Sequence, residues 1–428
     1  MNLEVANVGK INYANIELDG ITVIAGENNT GKSTIGKMLF CIFHSFYRIE
    51  EQITAEQTKT IARVLRSYYH EISERHVMRF NMQDLAGRIV SQKEVFLSDK
   101  NILIKELEGY YLNIDSGVKA HINQDSLGRL AERICSYLNV DDGNMKEFIL
   151  RKRLEAEFAM KVGHVNDIES KTTINLNIKS ASIDFEIVKN DDICINNYMS
   201  LNKEIVYIDD PFILDDVNDF PWSVSFDEFS HRFDILKKLA GGKKAAEFTL
   251  VDELVVEKRM KKIFDVMSNI CDGSLLKDES GNLVYQTNQL KSNLEMINLS
   301  TGMKSFVILR RLLETGNIDE NGIVILDEPE IHLHPEWQLK FAEIIVLIQK
   351  EFGVNILLNT HSPYFLNAIE VYSQRYGIDQ KCKYYLANED DGRTEIINVT
   401  NETETIYAKL AKPLQELENL EYRNESTV

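Results

Sequence analysis

The segment with the clearest chemical meaning is 26–33, which reads GENNTGKS and matches the pattern GxxxxGK[ST]. Gly26 and Gly31 allow the backbone to curl so that successive N–H groups point at phosphate oxygens. Lys32 is placed to reach the terminal phosphates of a nucleotide, and Ser33 is placed to ligate Mg²⁺. We therefore predict a nucleotide site made of these residues: Gly26, Asn28, Asn29, Thr30, Gly31, Lys32, Ser33 and Thr34.

A second chemical element lies at 323–328, where the apolar run IVIL is followed by Asp327 and Glu328. Phosphate hydrolysis needs an acid that holds the metal and a base that orients water. We predict that Asp327 holds Mg²⁺, directly or through water, and that Glu328 is the general base. A carboxylate pair at a strand end is common by itself, so its significance comes from the phosphate motif upstream.

Two shorter segments place polar side chains at element boundaries. Residues 299–305, LSTGMKS, open a helical pattern, so the Ser300 hydroxyl and the Gly302 N–H would lie at a helix N-terminus that favours anions. Residues 359–363, NTHSP, follow an apolar run and place His361 at a strand end. A serine that only caps its helix and a histidine that only packs or caps are the alternative interpretations.

The elements around these residues predict an α/β fold. Residues 21–26 form an almost continuous apolar run, typical of a strand buried on both faces, and a long apolar helical pattern begins at Ser33. This is the order of strand, loop and helix that a phosphate loop requires. Further elements are predicted as strands at 323–328 and 355–360, helices after Ser300, at 336–350 and at 404–421, and hairpins at 273–286 and 383–400.

Composition narrows the class of protein. The chain has 428 residues, 44% of them hydrophobic, and a net charge of −19, which predicts two or three structural units and no bulk attraction to nucleic acid or anionic lipid. The five cysteines are scattered without a CxxC pair, which argues against a disulfide framework or a zinc site. No signal peptide or long apolar run is found, so we expect a cytoplasmic protein with no membrane segment.

In this order the motifs resemble those of ATP-binding-cassette (ABC) type ATPases. The resemblance is to the soluble AAA family members that are similar to structural-maintenance-of-chromosomes (SMC) and overcoming-lysogenisation-defect proteins, and it covers 1–40 and about 285–370. It implies ATP and Mg²⁺ as ligands, and a P-loop ATPase head with an inserted, mainly helical region. It also implies a homodimer that sandwiches two nucleotides between its heads, and it leaves higher homo-oligomers open.

The resemblance assigns roles to individual residues. Glu328 would be the catalytic base and His361 the switch that senses the γ-phosphate. Ser300, Gly302 and Lys304 would act on the nucleotide of the other head, and residues 330–335, EIHLHP, would form the loop that crosses the dimer interface.

The same resemblance divides the chain into three parts. The N-terminal lobe of the head, with the phosphate loop, is expected at 1–45, and the C-terminal lobe at 271–428. Between them, 46–270 is expected to be a mainly helical insert, with a strand-patterned segment near 171–209 that belongs either to the insert or to the head.

The sequence departs from the family pattern at three points. Its signature reads LSTGMK instead of LSGGQ. The glutamine that normally follows the first helix has three candidates, Gln52, Gln57 and Gln83, and none of them has convincing strand context. The aromatic residue that stacks on adenine is unassigned, and Tyr13 is a candidate for it.

Three further clusters have both a functional and an ordinary interpretation. His332 and His334 could ligate a metal, but the resemblance explains them as part of a structural loop. The acidic run 209–216 could hold a metal for nuclease chemistry, and a solvated turn is the preferred interpretation. The basic clusters could contact nucleic acid or form a solvated helix face. Their members are Lys237, Lys238, Lys243, Lys244, Lys258, Arg259, Lys261 and Lys262.

The segment after His361 is too short for the Toprim nuclease domain that overcoming-lysogenisation-defect proteins carry. We therefore expect no nuclease activity in this chain alone, and a separate effector, such as an HNH or Toprim nuclease. The combination resembles the ATPase subunits of bacterial antiphage systems of Septu or PARIS type. The predicted function is an ATP-hydrolysing sensor and scaffold that dimerises through its heads and controls that effector. The alternative is a DNA-repair or recombination ATPase that clamps DNA in its ATP-bound dimer.

Overall fold

The structure is a computed structural model that describes residues 1–73, 81–114, 122–159, 161–165, 170–189, 192–220, 227–241, 250–287 and 291–425. Its internal contacts divide the chain into two compact units. The head unit comprises Met1–Ser45 and Leu150–Val428, and the helical unit comprises Phe46–Ile149.

The described elements include thirteen strands and thirteen α-helices. The strands are β1 (Asn2–Val8), β2 (Ile11–Glu17), β3 (Ile21–Gly26), β4 (Thr172–Ile178), β5 (Ala181–Val188), β6 (Asp192–Asn197), β7 (Ile205–Ile208), β8 (Ser274–Lys277), β9 (Leu283–Gln286), β10 (Ile323–Asp327), β11 (Asn355–Thr360), β12 (Cys382–Asp390) and β13 (Arg393–Asn398). The helices are α1 (Lys32–Phe46), α2 (Ile49–Ile72), α3 (Met82–Ser91), α4 (Lys93–Ser98), α5 (Lys100–Ile114), α6 (Gln124–Leu138), α7 (Asp142–Phe158), α8 (His231–Ala240), α9 (Leu250–Met267), α10 (Thr301–Glu314), α11 (Pro335–Phe352), α12 (Pro363–Tyr376) and α13 (Glu404–Glu425).

The head unit is built on an 11-stranded sheet in the order β6-β5-β4-β1-β2-β13-β12-β3-β11-β10-β7, and β8 and β9 form a separate hairpin. The strands from β12 to β7 in this order run parallel. Their apolar runs are buried, as in β3, where every residue is buried. This arrangement confirms the predicted α/β class, and β8–β9 and β12–β13 confirm the predicted hairpins.

The parallel strands determine where the motif residues meet. Carboxyl ends of parallel strands lie along one edge of a sheet, and that edge is where α/β proteins place their ligands. Gly26, Ile208, Asp327 and Thr360 end β3, β7, β10 and β11. The phosphate loop, the two carboxylates and His361 therefore start from the same edge.

The strands from β6 to β2 in the sheet order run antiparallel, and β13 pairs in parallel with β2. Strand β1 pairs with both β2 and β4, and β5 joins β4 to β6. Burial alternates along these strands, for example at Ile183, Phe185 and Ile187 of β5, which are buried while their neighbours are not. Alternation with period two buries one face of such a sheet, and it is the pattern predicted for 171–209.

The helical unit contains α2 to α6 and the start of α7, and has its own core. Helix α6 shows why these segments fold as helices, because Leu127, Leu130, Ile134 and Leu138 recur at spacings of three and four and are all buried. Asn123 begins the helix by accepting a hydrogen bond from the backbone N–H of Ser126 at 2.7 Å. The core formed by these helices is made of contacts within this unit.

The compact helical unit is shorter than the insert expected at 46–270, because it ends at Ile149. The strands β4 to β7 extend the head unit's main sheet, and α8 and α9 pack in the head unit. Main-chain pairing of β4 with β1 and of β7 with β10 ties this part of the chain to the head unit. Among the described residues, no helix is long and apolar enough to cross a membrane.

Candidate nucleotide site

Residues 26–33, the phosphate loop, join β3 to α1. Asn29 and Gly31 have left-handed backbones, with φ of 65° and 84°. A Cβ on Gly31 would lie 3.2 Å from Cγ1 of Ile11, so both the conformation and the available space favour glycine. The loop ends at the first turn of a 15-residue helix, whose N-terminus favours an anion.

The remaining loop residues differ in exposure. Asn28 and Asn29 are exposed, whereas Thr30 is buried and its hydroxyl donates to the carbonyl oxygen of Glu27 at 2.9 Å. Ser33 and Thr34 are half-buried in the first turn of α1. The predicted loop residues thus lie in one segment at the start of α1, partly buried and partly exposed.

Lys32 is the buried cation of the loop, with 4% of its surface exposed. Its Nζ donates to the carbonyl oxygens of Gly26 at 3.1 Å and Glu27 at 2.7 Å. Burial lowers the pKa of Lys32, and the charges of Glu328, Asp327 and Glu330 oppose that shift. The ammonium group is therefore held against the loop by carbonyl dipoles and nearby carboxylates.

Asp327 is oriented from two neighbouring strands. Its Oδ2 accepts a hydrogen bond from the Tyr207 hydroxyl at 3.1 Å, and its Oδ1 accepts one from Nδ2 of Asn359 at 3.0 Å. Tyr207 lies on β7 and Asn359 on β11, the strands that flank β10. Both carboxylate oxygens are thus bonded to neutral donors, which leaves the negative charge of Asp327 without a paired cation in these two contacts.

Glu328 brings the phosphate loop and the histidine segment together. Its Oε1 lies 3.8 Å from Nζ of Lys32 and 3.4 Å from Nδ1 of His361. The residue has a φ of 47°, and its backbone N–H donates to the carbonyl oxygen of Asn359 at 2.9 Å. A left-handed conformation is costly for a residue with a side chain, and such residues cluster at functional sites. Glu328 adopts this left-handed conformation directly after the end of β10.

Glu330 is a site residue that sequence reasoning assigned only to a structural loop. It is 2% exposed, and its Oε1 accepts hydrogen bonds from the Thr360 hydroxyl and from the backbone N–H of His361. Burial raises the pKa of Glu330, while the hydrogen bonds and the nearby His361 oppose that shift. A carboxylate two residues after the DE pair was the signal that could have identified it.

Ser300 and Gly302 lie at the N-terminus of α10. Ser300 is the residue before the helix, is exposed, and makes no side-chain capping bond to it. A Cβ on Gly302 would lie 3.0 Å from the carbonyl oxygen of His332 and 3.2 Å from Trp337. Within the part of the chain that the structure describes, no hydrogen bond or ion pair joins either residue to the phosphate loop of its own chain.

Lys304 is buried, unlike the exposed Ser300. It is 2% exposed, and its Nζ donates to both carboxylate oxygens of Asp215, at 2.5 and 2.7 Å. The ammonium also lies 5.2 Å from the centre of the Phe212 ring. The structure therefore places Lys304 in an internal ion pair of the head unit, unlike the expected role on another head's nucleotide.

The acidic run 209–216 forms neither a solvated turn nor a metal cluster. Pro211–Asp216 is a 3-10 helix that directly follows β7. Three of its carboxylates lie beside cationic side chains: Oδ2 of Asp209 lies 3.0 Å from Nε2 of His231, Oδ2 of Asp210 accepts from Arg232 at 3.1 Å, and Asp215 pairs with Lys304. In the described part of the chain, no group of three or more histidine, cysteine or acidic side chains could hold a metal ion.

The other predicted candidates are dispersed. Gln52 and Gln57 lie on α2 and Gln83 on α3, so all three are on helices of the helical unit. Tyr13 lies on β2 with 47% of its surface exposed, beside a cavity of about 710 Å³. His334 caps α11 by accepting from the backbone N–H of Glu336 at 3.4 Å.

The basic clusters are partly neutralised. Lys238 pairs with Asp234, Arg259 with Glu320, and Lys262 with Glu351. Lys237, Lys258 and Lys261 are exposed. Lys243 and Lys244 lie outside the described residues.

The donors of the site fit a nucleotide and a divalent cation. The curled loop with its left-handed residues, the helix N-terminus and the buried ammonium of Lys32 suit polyphosphate. The hydroxyl of Ser33 and the carboxylate of Asp327 are hard oxygen ligands, which Mg²⁺ prefers. When bound, Mg²⁺ would supply charge stabilisation at the phosphate oxygens.

The fold and the site define a P-loop nucleotide-binding protein of the α/β class. A family model described as the AAA ATPase domain matches residues 1–366, and the chain belongs to that family. The ATPase family predicted from the sequence motifs is thereby confirmed.

Relatives carry ATPase and Septu names. The chain is 26% identical over 206 residues to the Septu protein PtuA of Bacillus thuringiensis, covering 44% of this chain and 48% of that protein. It is 22% identical over 384 residues to the Retron Vc95 probable ATPase of Vibrio cholerae serotype O1 biovar El Tor, covering 81% of this chain and 67% of that protein. The match thus spans about half the length of the Septu protein, and the predicted resemblance to a Septu ATPase is confirmed.

Among solved structures, the chain is similar to an SMC head bound to the C-winged helix domain of ScpA. The identity is 11%, the TM-score is 0.42, and the match covers 94% of this chain and 98% of that chain.

Proposed function

We propose that this protein hydrolyses ATP with Glu328 as the general base. The observation that carries the proposal is the position of the Glu328 carboxylate, which lies 3.8 Å from Lys32 Nζ and 3.4 Å from His361 Nδ1. A base must lie beside the phosphate-binding cation to polarise a water in line with the terminal phosphate. His361 then orients the base and senses the terminal phosphate from its position directly after β11.

The other residues bind and orient. The loop N–H groups and Lys32 hold the phosphates, while Ser33 and Asp327 hold Mg²⁺. Glu330 accepts from the His361 backbone N–H at 3.3 Å and so fixes the start of the segment that carries the imidazole.

We further propose that two heads pair in the ATP-bound state. Ser300 is exposed at the start of α10 without capping it, so its hydroxyl and the helix N-terminus are available to an anion on another molecule. Gly302 packs against His332, and a Cβ there would crowd the His332 carbonyl oxygen in the loop at 330–335. Ser300 and Gly302 would contact the terminal phosphate bound by the second head.

The proposed biological role is a cytoplasmic ATPase component of antiphage defence that controls a separate effector, with a nuclease as the expected effector class. The Septu name of one relative and the ATPase name of the other support this role. Pairing of heads would transmit the nucleotide state to that effector.

Turnover of ATP by the purified chain and its variants tests the enzymatic proposal. Lys32→Ala should bind nucleotide more weakly, whereas Glu328→Gln should retain binding and lose hydrolysis. Lys203→Ala, which removes another lysine that donates to a main-chain carbonyl, serves as a matched control and should behave as wild type. Unchanged turnover in Glu328→Gln would contradict the assignment of the base. In cells, both active-site variants should lose phage protection.

The second candidate function is a clamp that grips DNA in the ATP-bound dimer. Its support is the exposure of Lys237, Lys258 and Lys261. DNA binding that requires ATP, weakens with salt, and falls in a Lys258→Glu/Lys261→Glu variant would favour the clamp. Binding that is absent at low salt, with ATP present, would exclude it.

A further inference from the structure

We propose that Tyr207, supported by the buried side chains of His231 and Glu157 and the half-buried side chain of Asp209, is a positioning residue for the metal-holding carboxylate of Asp327. The inference deepens the proposed function and rests on its assignment of Asp327. Tyr207 acts through Asp327 and has no direct role in the chemistry.

The first observation is the contact between the two residues. The Tyr207 hydroxyl donates to Oδ2 of Asp327 at 3.1 Å, while Oδ1 is taken by Asn359. Tyr207 is only 1% exposed, so its hydroxyl has no access to bulk water. A hydrogen bond from a neutral donor orients a carboxylate without neutralising its charge. That is the condition a metal ligand needs, and outer partners of this kind tune metal affinity.

The second observation is how tightly the tyrosine ring is held. Its ring stacks on the imidazole of His231, with centroids 4.4 Å apart and planes 26° apart. On helix α1, a Cβ on Gly36 would lie 3.3 Å from the Tyr207 hydroxyl oxygen and 3.1 Å from Ile325. The phenol therefore has little freedom to rotate away from Asp327.

The third observation is the charge beneath the ring. Nδ1 of His231 lies 2.8 Å from both oxygens of Glu157, and Nε2 lies 3.0 Å from Oδ2 of Asp209. Burial acts to lower the pKa of His231, but the two carboxylates outweigh it and raise the pKa to about 9. His231 is thus an imidazolium at neutral pH. A cation against an aromatic face is attracted to it, which holds the Tyr207 ring in place beside Asp327.

The cluster joins separate parts of the head unit. Glu157 lies on α7, Asp209 follows β7, and His231 begins α8. Arg232 also lies 3.7 Å from Asp209, so the carboxylate has a second cation nearby. Asp209 and Asp327 line the same small cavity of about 40 Å³. The position of this charged cluster beside the metal-holding carboxylate supports a role in positioning it.

The test measures how much Mg²⁺ strengthens binding of a fluorescent ATP analogue, as the ratio of dissociation constants in EDTA and in Mg²⁺. In Tyr207→Phe this ratio should fall about tenfold, with the dissociation constant in EDTA unchanged, because outer partners of metal ligands commonly carry effects of that size. The matched control is Tyr407→Phe, which removes a phenol donor to Glu370 at 2.6 Å and should leave the ratio at the wild-type value.

A second variant tests the contribution of His231, which stacks on the Tyr207 ring. His231→Gln should lower the same ratio by about threefold, since a cation against an aromatic face contributes modestly. Thermal melting checks that each variant is folded. A Tyr207→Phe ratio equal to that of wild type, or a fall of equal size in Tyr407→Phe, would overturn the proposal. The ratio of dissociation constants can be measured without hydrolysis. If wild-type protein binds the analogue more tightly in Mg²⁺ but does not turn over ATP, the proposed function is refuted, while the positioning role of Tyr207 can still be measured.

Discussion

The carboxylate of Glu328 lies 3.8 Å from the ammonium of Lys32, although one residue follows β10 and the other begins the helix after β3. Strand β11 separates β3 from β10 in the sheet, and it carries Asn359 and leads to His361. Three parallel strands therefore bring a cation, a base and an imidazole to one edge. This relationship gives each part of the candidate site a separate test.

Lys32→Ala tests the phosphate-binding cation. We expect nucleotide affinity to fall by about ten- to a hundredfold, because a charge-assisted hydrogen bond is worth about 1.5–3 kcal/mol. Equilibrium titration with a fluorescent ATP analogue measures the effect. An affinity within twofold of wild type would show that Lys32 does not contact the nucleotide.

Glu330→Ala tests whether the buried carboxylate positions His361. Removing the acceptor leaves the Thr360 hydroxyl and the His361 N–H without it, so turnover should fall by about tenfold or more while nucleotide affinity is retained. Glu330→Gln keeps one acceptor oxygen and should recover part of the rate. Equal turnover in Glu330→Ala and wild type would limit Glu330 to a structural role.

Much of this site could be predicted from sequence, and the parts that could not share a cause. Gly26, Lys32, Asp327 and Glu328 belong to short motifs whose chemistry is local to a strand end and a helix start. The hydroxyl of Tyr207 reaches Asp327 only because β7 lies beside β10, and no local pattern predicts which strands are neighbours.

The charged segments illustrate the same limit. The residue types at 209–216 show an acidic run, but its neutralising partners His231, Arg232 and Lys304 come from α8 and α10. Likewise, the sequence left open whether the strands near 171–209 belong to the insert or to the head, and their pairing partners β1 and β10 lie in the head unit. In both cases the partners lie far away in the sequence, so only the tertiary structure shows them.

Asp215→Asn tests the internal ion pair of Lys304. The Lys304 side chain is 3% exposed and that of Asp215 is 24% exposed, so the variant leaves a buried ammonium without its counter-charge. We expect the free energy of unfolding to fall by about 2–3 kcal/mol, below the full range for a completely buried pair. Urea denaturation measures it, and Asp219→Asn at an exposed position is the control. If Asp215→Asn unfolds at the same urea concentration as the control, the ion pair contributes little.

The pH dependence of stability tests the charge of His231. Its folded pKa is raised from 6.5 to about 9 by Glu157 and Asp209 in spite of burial, with Arg232 also near Asp209. A raised pKa stabilises the fold fully below the unfolded value, and this contribution is lost as the pH rises through about 9.

We therefore expect wild type to lose about 2–3 kcal/mol of unfolding free energy relative to His231→Gln between pH 6.5 and pH 9.5. Urea midpoints at several pH values give the comparison. Parallel pH profiles for the two proteins would show that His231 carries no charge in the fold.

The mass of the Glu328→Gln protein in ATP and Mg²⁺, measured by light scattering, tests the central claim most directly. The variant should bind ATP without hydrolysing it. Its mass in ATP should be twice the mass that it has in ADP, because ATP completes the contact between paired heads. Ser300→Arg places a bulky side chain at an exposed position on that surface. Combined with Glu328→Gln, it should abolish the increase. The same mass in ATP and in ADP, with nucleotide shown to be bound, would contradict the account of a switch that works by pairing its heads.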